Sequence, residues 1–116
     1  MARLDFNALI KKDLYQVFLF VSPASFPVQL ARHAWFVINK KGVVARWEVI
    51  FSATYSGTHW GNIYKDFSAP FDGVTILPYV RGFCWSNVRL LASIEGEAGS
   101  VAERMGDFIE RSPAEY

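Results

Sequence analysis

His33 and His59 are the only imidazoles in this 116-residue chain, and Cys84 is its only thiol, so acid–base and nucleophilic chemistry have few addresses. The sharpest arrangement joins His33 to Glu48. His33 to Asn39 and Val43 to Phe51 read as two strands, and Asn39-Lys40-Lys41-Gly42 between them reads as a turn, because Asn and Gly tolerate the positive φ of a tight reversal. An even turn, two residues at 40–41 or four at 39–42, sets His33 directly opposite Glu48 on one face, with Cβ atoms about 5 Å apart. A three-residue turn with Gly42 in a bulge sends the two to opposite faces. On one face, the carboxylate would fix the imidazole tautomer and raise its basicity, which prepares a general base. The same pair at a sheet edge also serves as a purely structural contact, and spacing leaves both readings open.

Thr58-His59-Trp60-Gly61-Asn62 is the second candidate. It lies in a long connection, and loops held on a rigid scaffold often carry binding residues, so His59, Trp60 and Asn62 are candidate pocket-lining groups. The alternative is an aromatic anchor that holds the loop down. Cys84 sits between Phe83 and Trp85 in an extended stretch. Activated thiols favour helix N-termini or cationic surroundings, so Cys84 reads as a small core residue. One cysteine and two histidines supply a metal site poorly, and neither a metal nor a cofactor is expected. A Gly-rich phosphate loop, a His-Glu-x-x-His helix and a Gly-x-Ser-x-Gly elbow are all missing from the sequence, which removes the common nucleotide, zinc-protease and α/β-hydrolase readings.

Several elements must position these residues. Tyr15 to Ser22 is apolar at nearly every place, the pattern of a strand covered on both faces. Residues 52–73 form a long connection, which implies a functional loop or a short strand within it. Val74 to Leu77 and Gly82 to Ile94 read as extended, with Val88, Leu90, Ala92 and Ile94 on one face. Ser100 and Glu103 form a capping box for a closing helix. On that helix Val101, Ala102, Met105, Phe108 and Ile109 make one apolar stripe, Asp107 can pair with Arg111, and Pro113 marks its end. The expected fold is α+β: a mostly antiparallel sheet of about five strands with one C-terminal helix packed on it, in a single domain spanning 1–116.

Composition agrees and narrows the partners. Hydrophobic residues make up 52% and charged residues 20%, so the chain can bury a core and is not disordered. Net charge is +1, and the basic residues, Arg46 among them, are too scattered to track a phosphate backbone, so nucleic acid is not an expected partner and a solvated basic surface is. The apolar run from Val17 to Val21 falls far short of a bilayer span and reads as a buried strand rather than a signal peptide. A lone cysteine and no targeting segment point to the cytoplasm.

The stretches Val21-Ser22-Pro23-Ala24-Ser25-Phe26-Pro27, Arg32 to Asn39, Arg46-Trp47-Glu48-Val49 and His59-Trp60-Gly61, with Ile94-Glu95-Gly96 before a helix, resemble a family of uncharacterised bacterial proteins. That family is similar to the circularly permuted papain-like domains of the NlpC and lecithin retinol acyltransferase type. The resemblance runs from about residue 14 to the end. It implies His33 as base, Glu48 as its orienting residue and a nucleophile at the start of a later helix. In the resembled family a Pro-rich stretch ending in Asn-Ser-Asn-Thr-Phe follows the segment matching Ser112 to Tyr116, and its Ser stands where relatives carry Cys. This sequence ends at Tyr116, so the resemblance implies a hydrolase or acyltransferase fold that is catalytically incomplete as given. Uncovered apolar surface would then favour self-association or marginal stability. The alternative is a non-catalytic module that binds a small molecule or peptide through the aromatic connection 52–73.

Overall fold

The computed structural model describes residues 5–50, 59–60, 63–77, 80 and 82–115. Six strands form one sheet: β1 (Tyr15–Pro23), β2 (Arg32–Lys40), β3 (Val43–Val49), β4 (His59–Trp60), β5 (Ile63–Lys65) and β6 (Arg89–Gly96). Their spatial order is β4-β5-β3-β2-β1-β6, and every neighbouring pair is antiparallel. One helix, α1 (Val101–Glu115), packs on the sheet, so the α+β expectation holds, with β4 only two residues long. The connection 52–73 does contain short strands, β4 and β5, at the sheet edge.

The two sheet faces differ. On one, Phe18, Phe20, Trp35 and Val37 are buried beneath a 3₁₀ turn at Phe6–Leu9 and beneath Phe71. Phe20 stacks on Trp35 at 5.9 Å and meets Phe6 and Phe71 edge-on. The polar couple Gln16 and Asn39, directly paired across β1 and β2, anchors the incoming chain by accepting from Lys11 N–H and donating to the Leu9 and Lys11 carbonyls. Helix α1 covers the other face, over Val17, Ile38, Ala45 and Trp47. A run apolar on both faces is therefore what β1 needs, since both of its faces are covered.

Gly106 is where helix and sheet approach: a Cβ there would lie 3.1 Å from Ile38 Cγ2. Lys40 Nζ ties the helix to β2 through Asp107 at 2.5 Å and Glu110 at 2.8 Å. Asp107 is thus spent on Lys40, and Arg111 instead donates to the Asp107 carbonyl. Ser100 Oγ accepts from Glu103 N–H as a cap should, but the Glu103 carboxylate reaches back to Gly99 N–H, one residue before the expected partner. The expected single stripe splits. Ala102, Gly106 and Ile109 turn inward, whereas Val101, Met105 and Phe108 stay exposed, because the sheet offers a narrow seat at Gly106. The helix also continues past Pro113 to Glu115.

Two registers differ from the simple expectation. The β2–β3 turn is two residues, Lys41 and Gly42, both at positive φ, with Asn39 Oδ1 accepting from Gly42 N–H. Partners run Lys40↔Val43 to Phe36↔Trp47, so Glu48 falls diagonal to His33 rather than opposite it. In β6, Leu91 is a bulge: Ala92 pairs with Leu19 but Leu90 pairs with Phe20. The extra residue flips the alternation, so Val88 and Leu90 join the Phe20–Trp35 core while Ala92 and Ile94 share the opposite face. The stretch expected to be extended before β6 retains only a bridge between Thr75 and Cys84.

Candidate functional site

His33 and Glu48 do share a face. The even turn preserves their parity, and the diagonal offset lies within the reach of both side chains. His33 Nε2 lies 2.6 Å from Glu48 Oε2. The carboxylate is 1% exposed, whereas the His33 side chain is 21% exposed and its ring stacks on Trp35. An ionised carboxylate only accepts, so Nε2 carries the proton and Nδ1 holds the lone pair of the neutral ring.

Glu48 is held by a third residue. Arg46 lies two places earlier on β3 and so on the same face, fully buried. Its Nε donates to Glu48 Oε1 at 2.7 Å and its Nη2 to Oε2 at 3.1 Å, a forked pair. Nη1 donates to the carbonyls of Ala69 and Asp72, and the guanidinium lies 4.0 Å from the Trp35 ring centroid. Trp35 Nε1 also donates to the Pro70 carbonyl. The segment 69–72 is thereby fastened over this end of the face. Burial pushes the Glu48 carboxyl upward, but the His33 hydrogen bond and the Arg46 charge outweigh it and hold it below the usual range.

The basic residues were expected to be solvated, and Arg46 is the correction. A strand alternates its faces, so Arg46 and Glu48 had to go to the same side, and burial there demands that the charges pair. The Arg-x-Glu spacing on an otherwise apolar strand was the signal that could have revealed it.

Ser22 pairs directly with His33 across β1 and β2 and is also buried. Its hydroxyl donates to the Pro23 carbonyl and accepts from Val74 N–H, so its hydrogen-bonding capacity is spent on backbone. Cys84 is half-buried beside Thr75. Burial and the Asp72 carboxylate push its thiol up despite Arg46, the opposite of an activated nucleophile.

His59 and Trp60 form β4 and pair with Tyr64 and Ile63. Asn62 lies outside the described residues. Tyr64 also pairs with Glu48, which places β4 two strands from Glu48 in the order β4-β5-β3. Among the described residues no group of three His, Cys, Asp or Glu side chains gathers to hold a metal ion. No described helix is long and apolar enough to cross a membrane. An open recess lined by Arg104, Asp107, Glu110 and Arg111 lies along α1, on the opposite side of the sheet from His33.

No family model, no curated protein and no solved structure matches this chain.

Proposed function

We propose that His33 is the general base of a papain-like hydrolase or acyltransferase-type domain, with Glu48 as its orienting residue and Arg46 holding Glu48 in place. The observation that carries this reading is the 2.6 Å contact between His33 Nε2 and the buried Glu48 carboxylate, with the ring still partly open to solvent. Such a contact leaves Nδ1 as the basic atom, able to take a proton from a thiol or hydroxyl as it attacks an amide or ester carbonyl. In this reading neither Cys84 nor Ser22 is the nucleophile, since the Cys84 thiol is pushed up and the Ser22 hydroxyl is bound to backbone. The described residues then supply the base and its orienting partner, in a cytoplasmic protein.

Supplying the nucleophile tests this. Acyl transfer from an aryl ester to a small added thiol should be faster with the wild-type chain than with His33→Ala or Glu48→Gln by about a hundredfold, the lower range for general-base catalysis. Equal rates in wild type and His33→Ala overturn the reading.

A second reading is a non-catalytic module that binds a small molecule or peptide through 52–73. The three hydrogen bonds converging on Glu48 are compatible with its non-catalytic half, because a buried structural ion pair makes the same contacts. It expects His33→Ala to be silent and Trp60→Ala to weaken binding.

A further inference from the structure

Two loops meet at the end of the sheet where β1 leaves and β2 begins. The first, 24–31, is tied to the second, described at 74–77, 80 and 82–85, by three hydrogen bonds: Ser25 Oγ donates to the Thr75 carbonyl, Phe26 N–H to the Ile76 carbonyl, and Trp85 Nε1 to the Ala24 carbonyl. Within the second, Ile76 N–H donates to the Phe83 carbonyl. The backbone of this pair is therefore braced, yet its large apolar side chains are not covered. Leu30 is 96% exposed, and Phe26, Val28, Leu77, Val80 and Phe83 are all exposed as well. Six such residues on two joined loops exceed the scattered exposure usual for a globular surface.

Acidic residues are sparse in the segments that carry them, with Asp72 beside Cys84 the exception. Neither residues 14–47 nor residues 73–94 contain an Asp or Glu. Arg32 opens β2 and Arg89 opens β6, paired to Pro23 and Val21 at the same end of β1, and both are exposed. The nearest acid along the chain is Asp72, just ahead of the second loop. By contrast, Glu95, Glu97, Glu103, Asp107 and Glu110 gather at or beyond the opposite end, where β6 runs out and α1 begins and packs against Lys40.

From these two observations we infer that loops 24–31 and 74–85 dock the protein peripherally on an anionic lipid bilayer. Leu30, Phe26, Val28 and Phe83 enter the interface while Arg32 and Arg89 meet the headgroups. Apolar loop tips gain from leaving water for the acyl boundary, and flanking arginines gain from the negative surface potential. A soluble protein partner would use the same apolar area, but two exposed arginines at its margin are matched by a uniformly negative plane. The inference does not depend on the role of His33.

Cosedimentation of the full chain with vesicles tests it. An equimolar phosphatidylcholine–phosphatidylserine vesicle should bind the protein, pure phosphatidylcholine should bind it several-fold less, and added salt should weaken the difference. The Leu30→Ser/Phe83→Ser double variant should lose at least about tenfold in partitioning, given what burial of such side chains contributes. Both positions are exposed, and a thermal melt monitored by circular dichroism verifies that the fold is kept. Phe108→Ser, at a 61% exposed apolar residue on α1, should bind as wild type does. Absence of binding to either vesicle overturns the inference, as does equal loss in Phe108→Ser. A lipid-free dimer abolished by the same double substitution, without vesicle binding, assigns the loops to a second copy of the chain and also overturns it.

Discussion

Arg46 and Glu48 stand two residues apart on β3, and the pleat alone sends both to the side that carries His33, Trp35 and Phe20. A buried guanidinium with an accepting carboxylate is stable only as a pair, so removing one partner leaves an uncompensated charge. Glu48→Ala should therefore lower the free energy of unfolding by about 3 to 5 kcal/mol, measured by urea denaturation. His33→Ala should cost about 1 kcal/mol, because His33 is partly solvated and Arg46 still satisfies the carboxylate. Equal costs for the two would mean that His33 is as structural as Glu48, which weakens its reading as a base. The pairing of His33 with Glu48 was legible from turn parity. Burial of Arg46 was not read, because a cation in a charge tally looks like any other surface residue until its neighbours are known.

At the scale of elements, the central decision is how closely α1 can approach the sheet. Gly106 permits that approach over Ile38, and a larger side chain must push one of them away. Gly106→Val should destabilise by about 1 to 3 kcal/mol despite removing a glycine from a helix, measured as a lower urea midpoint with little change in slope. The spans of β1 and β2, the start of β3, the capping Ser100 and the tight turn before Val43 could be anticipated, since each depends on residues adjacent in sequence. The β6 bulge at Leu91 could not. Ordinary alternation places Val88, Leu90, Ala92 and Ile94 on one face, and only the pairing with β1 splits them into two pairs. The helix stripe failed similarly: periodicity grouped Met105 and Phe108 with Ile109, but the sheet seats only the row through Ala102, Gly106 and Ile109.

The whole molecule has a pH signature. Glu48, Glu95 and Glu103 all have carboxyls held below the ordinary 4.5: Glu95 by Lys11, Glu103 first by the Gly99 amide, and Glu48 by His33 and Arg46 against its burial. A carboxyl with a lowered folded pKa binds fewer protons folded than unfolded, so its contribution is present above 4.5 and lost as pH falls through its folded value. At the other extreme, a hydrogen bond to Glu103 raises the Tyr15 phenol, and Asp107 and Glu110 raise Lys40 against its burial. Their contributions are lost as pH rises above about 10. The urea midpoint should fall as pH drops below about 4.5 and fall again as it rises above about 10. Arg46→Met/Glu48→Leu, which replaces the buried ion pair by apolar groups, should make the acid limb shallower. An unchanged acid limb would show that Glu48 does not contribute to it.

By itself the sequence determined the local grammar: a doubly covered β1, the β2–β3 hairpin, a capped helix and an α+β fold. Each follows from the identity and spacing of near neighbours, through side-chain period and backbone φ. Tertiary structure alone decided the burial of Arg46 against Trp35 and segment 69–72, the split of the β6 apolar residues between two faces, and the meeting of loops 24–31 and 74–85. Those outcomes depend on which distant segments share space, and burial, pairing and hydrogen-bond satisfaction are set by that company.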